Sequence, residues 1–152
     1  MQRNLTPEYV LDEVAAGRRA GTLEAVCLFV DVSGFTALTT ALMHHGNEGA
    51  EVVAGVLGAI FEPLIDTIFA QGGFVAGFAG DAIKAVFPLD RQDAYPRAAS
   101  AAWAISEYLR RQNTYVTRFG QFDFSGKVCL GDGALHWHVW EQRADSGTPL
   151  DQ

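Results

Sequence analysis

Two hydrophobic periods divide this chain. Residues 23–32 read Leu-Glu-Ala-Val-Cys-Leu-Phe-Val-Asp-Val, a nearly continuous apolar and β-branched run that predicts a central strand covered on both faces. The period then changes to 3.6. Residues 35–43 form a short helix that Ser33 can cap and that His44-His45-Gly46-Asn47 breaks. A longer helix follows over residues 48–70, with Val53, Val56, Leu57, Ile60, Leu64 and Ile68 on one stripe. Its other side carries Glu51, Gly55, Gly58, Glu62 and Asp66. Interior glycine costs a helix about 1 kcal/mol relative to alanine, so Gly55 and Gly58 predict close backbone packing, either internal or at a dimer contact.

Gly72-Gly73 ends that helix and opens a hairpin, with strand 74–78, turn Ala79-Gly80-Asp81, strand 82–87 and Pro88 as a stop. An alanine-rich helix over 93–112, with Ala98, Ala102, Ile105 and Leu109 on one face, leads to a second hairpin. Its strands are 122–130 and 134–140, around Gly131-Asp132-Gly133. Ahead of all these, Thr6-Pro7-Glu8 starts a short opening helix, with proline at its first position, and Gly17 and Arg18-Arg19 end it. The order β, two helices, ββ, helix, ββ suits one sheet covered by helices, of the α/β (α+β) class.

A chain of 152 residues, 49% of them hydrophobic, can bury one ordinary core. A formal charge of −7, with Lys84 and Lys127 as the only lysines, argues against nucleic acid or acidic lipid as a partner. A single metal-bound nucleotide stays compatible, because the cation brings positive charge with it. Cys27 and Cys129 sit in apolar, strand-like runs and read as two reduced, buried thiols. No uninterrupted apolar run reaches the roughly eighteen residues of a membrane span, and the N-terminus lacks the order of a secretory signal. The expectation is a cytoplasmic domain with no membrane partner.

Candidate chemistry gathers in two segments about fifty residues apart: Phe29-Val-Asp31-Val-Ser-Gly-Phe-Thr36 and Gly73-Phe-Val-Ala-Gly-Phe-Ala-Gly-Asp81-Ala-Ile-Lys-Ala-Val-Phe87. Asp31 ends a strand. The residues after it, Ser33, Gly34, Phe35 and Thr36, would present free N–H groups at a helix N-terminus, where phosphate oxygens bind well. Taken alone, Asp31 or Ser33 could simply cap the helix, and Asp81 could simply satisfy a turn. Taken together, the first strand and the following hairpin are natural sheet neighbours, so both carboxylates could converge at one edge. Two carboxylates with a triphosphate suit magnesium, which takes oxygen ligands and completes its octahedron with phosphate and water.

In that order and spacing, Phe29-x-Asp31-Val-Ser-Gly-Phe-Thr36 and Phe78-Ala-Gly-Asp81-Ala resemble the two metal-binding motifs of class III nucleotidyl cyclases. They are most similar to the first catalytic domain of the soluble, bicarbonate-responsive adenylyl cyclases. The likeness runs over residues 26–130, with Lys127-Val-Cys-Leu-Gly resembling a later strand of the family. It implies a ferredoxin-like, palm-type sheet covered by helices that converts ATP or GTP to the 3′,5′-cyclic monophosphate and pyrophosphate. By matched position, Asp31 and Asp81, with the backbone carbonyl of Val32, would hold two Mg²⁺ or Mn²⁺ ions. One ion would activate the ribose 3′-hydroxyl and the other would brace the β- and γ-phosphates, while the amides of Ser33, Gly34, Phe35 and Thr36 would cradle the triphosphate. The resemblance also implies a second cyclase domain placed head to tail, in the same chain or as a homodimer.

The sequence departs from the family pattern in two places. Where many relatives carry a lysine four residues before the second aspartate, associated in the soluble cyclases with bicarbonate sensing, this chain has Gly77. The family's transition-state asparagine and arginine and its base-selecting residue have no counterpart here. The tail 142–152 reads as a loop, so the expectation is a C-terminally truncated catalytic domain over 23–141 behind an N-terminal helix and linker over 1–22. Such a domain would be the metal-binding half of a cyclase site, inactive alone. Gly77 and the missing terminal segment together motivate a second reading, a non-catalytic cyclase-like module that binds nucleotide or another cyclase domain and regulates it. A palm-type enzyme making a cyclic dinucleotide ranks last, since the Gly-Gly-Asp-Glu-Phe-like signature is absent. Elsewhere, His136 and His138 alternate on a strand and share a side, but a solvated strand face explains them without a third ligand. Lys84 could reach a phosphate, but a lone cation on a hairpin strand reads first as solvated, and Trp103, Trp137 and Trp140 read as packing or interface groups.

Overall fold

The computed structural model describes residues 7–90 and 92–140. The chain runs through α1 (Glu8–Ala15), β1 (Ala20–Ser33), α2 (Phe35–Leu42), a 3-10 turn (Met43–His45), α3 (Gly46–Ala70), β2 (Phe74–Ala79) and β3 (Ala82–Pro88). It continues through α4 (Ala94–Arg111), β4 (Thr114–Thr117), β5 (Gly120–Asp123) and β6 (Ser125–His138). Four strands form one antiparallel sheet in the order β2-β3-β1-β6, and β4 and β5 make a separate hairpin. Each helical connection skips a strand: α2 and α3 carry the chain from β1 across β3 to β2, and α4 carries it from β3 across β1 to β6. These interlocked split β-α-β units are the ferredoxin-like arrangement expected of the sequence.

The period-2 geometry of β1 sorts its residues between two faces. Val26, Leu28, Val30 and Val32 are buried on the helix side, in a core with Leu38, Ile60, Leu64 and Ile68 of α2 and α3 and Ala98, Ala101, Ile105 and Leu109 of α4. On the other side, Leu23 and Ala25 are buried with Val86 in a small cluster completed by Tyr9 of α1, Phe74, Leu135 and Trp137. Past that cluster the same face opens at Cys27, Phe29 and Asp31. β1 is therefore covered on both faces only over its first half.

Several expectations change with the structure. Residues 125–138 form one continuous strand rather than a hairpin: β1 offers an unbroken ladder from Ser33↔Ser125 to Ala20↔His138, and this long-range pairing overrides the local Gly131-Asp132-Gly133 turn signal. The hairpin in this region is the shorter β4–β5. Ser33 is the last residue of β1, and the cap position of α2 belongs to Gly34, with no side-chain cap. Pro7 occupies the cap position of α1 rather than its first turn, and its carbonyl accepts from the N–H groups of Val10 and Leu11.

The expected helix 48–70 begins two residues earlier and contains Pro63. Gly55 faces open space and Gly58 has only the Glu62 carboxylate nearby, so neither marks internal packing. The closely packed glycine of α3 is Gly49, set against the Leu42 carbonyl. Cys129 is exposed and Cys27 half-buried, because both lie on the open half of the sheet face. The segment 35–70 is long and apolar enough to cross a membrane by length and composition, although Leu38, Leu42, Val56, Ile60, Leu64 and Ile68 are buried in the core. The Thr6 cap and the loop-like tail 142–152 lie outside the described residues.

Candidate functional site

β1 and β3 pair from Ala25↔Pro88 to Asp31↔Ala82, which brings the end of the first strand beside the start of the third. One step further, the Val32 N–H donates to the Asp81 carbonyl at 3.4 Å, so the β2–β3 turn is tied to the last residues of β1. Asp31 and Asp81 therefore sit at one end of the sheet, and both are exposed. Val32 between them is fully buried on the helix face, which fixes the strand's rotation and sends Asp31 to the open face. α2 starts two residues after Ser33, so Ser33, Gly34, Phe35 and Thr36 adjoin the same end.

The two motifs are also joined by an aromatic chain that the sequence reading missed. Phe35 stacks on Phe61 of α3 with centroids 5.6 Å apart, and Phe61 meets Phe78 of β2 edge-on at 6.1 Å. Phe35 also packs against Phe124 at 5.1 Å, and Phe124 against Tyr115 at 5.5 Å. Phe35, named in the sequence for its backbone amide, thus anchors the start of α2 with its ring. Phe61 lies on the apolar period of α3, the one sequence signal that could have pointed to it.

The sheet register fills in the rest of the open face. Opposite Asp31 stand Ala82 on β3 and Lys127 on β6. In the next row, Phe29 faces Lys84 on β3 and Cys129 on β6, and Lys84 in turn faces Gly77 on β2. A β-bulge between Val75 and Gly77 makes that last pairing possible: it shifts the alternation of β2 by one, so Gly77 joins the open face while Val75 stays in the core. Lys84 is exposed, as expected, but it belongs to the sheet face that carries Asp31.

The donor set at the Asp31–Asp81 edge is oxygen only, and among the described residues no group of three or more His, Cys, Asp or Glu side chains could hold a metal by itself. Two carboxylates that leave other positions for phosphate and water suit a hard divalent cation carried in with a nucleotide. His136 and His138 lie elsewhere on β6 and are exposed. His136 Nδ1 is 3.0 Å from the Thr22 hydroxyl, and His138 stacks on Trp140 at 4.3 Å, as a solvated strand face would have it.

No protein-family model matches the chain. Among curated proteins it is 34% identical over 73 residues to adenylate cyclase type 10 of Rattus norvegicus, and 32% identical over 71 residues to that of Homo sapiens. These matches cover 45% of the chain and only 4% of the relatives' length. Among solved structures, a bacterial light-regulated adenylyl cyclase superposes with a TM-score of 0.66 at 18% identity, over 90% of this chain and 40% of that one. The dimeric guanylyl cyclase domain of the RhoGC fusion protein from Blastocladiella emersonii gives 0.59 at 20%, over 82% and 66%. The adenylyl cyclase CyaB from P. aeruginosa gives 0.55 at 15%, over 83% and 69%. The chain therefore has the fold of nucleotidyl cyclase catalytic domains, and in sequence it resembles the soluble adenylate cyclases, as its two motifs suggest.

Proposed function

We propose that this chain, which has the class III cyclase fold, is the metal- and triphosphate-binding half of a nucleotidyl cyclase that forms a 3′,5′-cyclic monophosphate and pyrophosphate from ATP or GTP. The observation that carries the reading is the β1–β3 register, which sets Asp31 and Asp81 together at the sheet end where α2 begins. The sequence likeness to adenylate cyclase type 10 points the same way.

Asp31 and Asp81 would hold the divalent ions, Mg²⁺ or Mn²⁺, with the Val32 carbonyl as a further oxygen donor. When bound, such ions supply charge neutralisation at the phosphates and lower the pKa of a coordinated hydroxyl. The chain's own contribution is positioning. The N–H groups at the start of α2 receive phosphate oxygens, the Phe35–Phe61–Phe78 stack keeps that helix start fixed relative to the Asp81 turn, and the ladder fixes the spacing of the carboxylates. We assign the groups that stabilise the departing pyrophosphate to a second cyclase domain; the similar guanylyl cyclase domain of the RhoGC fusion protein forms a dimer of non-canonical arrangement and also a monomer. Nucleotide as ligand accords with the ATPαS and GTP complexes of two others. The expected setting is cytoplasmic signalling.

The test is cyclic nucleotide production with Mn²⁺ and ATP or GTP after a complementary cyclase domain is supplied, with Asp31→Ala and Asp81→Ala as the variants. Loss of product in both supports the assignment, and turnover unaffected by either substitution sinks it. Metal-dependent nucleotide binding without product would favour the regulatory module instead.

A further inference from the structure

The β1–β6 ladder brings together the two thiols of the chain, which stand far apart in sequence. Cys27 pairs with Gly131 and Phe29 with Cys129, so the two cysteines are diagonal neighbours on adjacent strands, both on the open face of the sheet. Both are free thiols, Cys129 exposed and Cys27 half-buried. Gly131, directly across from Cys27, carries no side chain and has nothing within 4 Å of where a Cβ would be, so the surface beside Cys27 is clear on that side. Diagonal Cβ atoms of an antiparallel pair lie about 6–7 Å apart. A disulfide needs about 3.5–4.5 Å, so the register does not favour a direct S–S bond. It does favour a bridging atom, because two metal–sulfur bonds of about 2.3 Å let the sulfurs stand up to ~4.6 Å apart.

The number and softness of the donors select the ion. Among the described residues no third His, Cys, Asp or Glu joins the pair, so Zn²⁺ would lack the ligands of its usual tetrahedral site. A hard cation is better served by the carboxylates at the Asp31–Asp81 edge. Two thiolates with nothing else suit a soft ion of low coordination number, which is the chemistry of Cu(I). We propose that Cys27 and Cys129 bind one Cu(I) ion between them on the open face of the sheet. Binding replaces two S–H bonds with two S–Cu bonds and releases two protons, which leaves a complex of charge −1. Lys127, exposed and on the same face of β6 next to Cys129, places a positive charge beside that complex. Partial burial, with the Asp132 carboxylate adding to it, holds the Cys27 thiol above its ordinary value, so the metal itself must displace that proton. The site stands whether or not the chain is half of a cyclase.

The experiment titrates the reduced 152-residue chain with Cu(I) under argon, in competition with the coloured Cu(I) chelator bicinchoninate, and reads the stoichiometry by native mass spectrometry. The unaltered chain should take up one Cu(I) per chain, and excess Mn²⁺ should not displace it. Cys27→Ser and Cys129→Ser should each weaken binding by at least about a hundredfold, because the second thiol acts at high effective concentration once the first has bound. Cys27→Ala, with thermal melts of every variant, separates loss of the ligand from loss of the fold: a folded alanine variant should bind as weakly as the serine one. The two-thiol site is overturned if either single variant keeps the affinity of the unaltered chain, if two ions bind independently, or if one ion joins two chains. Absence of Cu(I) uptake by the unaltered chain overturns it as well.

Discussion

Gly34 lies directly against Phe124: a Cβ at residue 34 would come within 2.7 Å of the Phe124 ring and of the Asp123 carbonyl oxygen. Its backbone, at φ 125°, is one that side chains rarely adopt. The glycine of the first motif is thus required by the protein itself, whatever approaches it from solvent. It lets β1 turn into α2 while the β5–β6 junction closes over the turn, and Phe124 is 5% exposed beneath it.

Gly34→Ala should therefore destabilise the fold by about 2–4 kcal/mol, combining backbone strain with overpacking against a carbonyl that cannot swing aside. Urea denaturation followed by far-UV circular dichroism measures this. A loss below about 0.5 kcal/mol would mean that the β5–β6 junction yields easily and that the contact is not a constraint.

Gly55 makes the opposite case. It lies in the middle of α3, is exposed, and has nothing within 4 Å of an added Cβ. Gly55→Ala should stabilise the chain by about 0.5–1 kcal/mol through helix propensity alone. If a second copy packs closely at this stripe, the same substitution instead weakens self-association, which sedimentation at increasing concentration separates from the gain in melting temperature.

Tyr115 sets an alkaline limit on stability. Partial burial pushes its phenol well above the ordinary value near 10, with the hydrogen bond to Tyr108 adding to the rise. The folded state then holds the proton more tightly than the unfolded chain does. Stability from this group is complete below pH 10 or so and falls as the pH rises beyond it. Tyr115→Phe should flatten the decline between about pH 10 and 11.5 in urea titrations. A variant that declines as steeply as the parent would show that another group carries the effect.

How much of this was legible in sequence depends on whether a signal was local. β1, the β2–β3 hairpin, α3 and α4 follow their hydrophobic periods closely, and the meeting of Asp31 and Asp81 follows from pairing neighbouring strands. The bulge at Ala76 was not legible, because a single extra residue leaves the apolar run intact while moving Gly77 to the other face. Nor was the place of Lys127 across from Asp31: with residues 131–133 read as a turn, the register of β6 against β1 could not be seen. The Phe35–Phe61–Phe78 stack joins three elements, so no one segment betrays it.

The continuity of β6 can itself be tested at Gly131. In a tight Gly131-Asp132-Gly133 turn, a β-branched residue at the first position would meet an unfavourable backbone and disturb both strands. In the structure Gly131 is an in-register partner of Cys27, its φ lies outside the left-handed range, and the space around a Cβ there is open. Valine at this position gains strand propensity and can pack beside Cys27 on the same face. Gly131→Val is therefore expected to raise stability by up to about 1 kcal/mol, read as a higher melting temperature at unchanged circular dichroism. A loss of more than about 1 kcal/mol would restore the hairpin, and with it the loss of the β1–β6 ladder that places Lys127 across from Asp31.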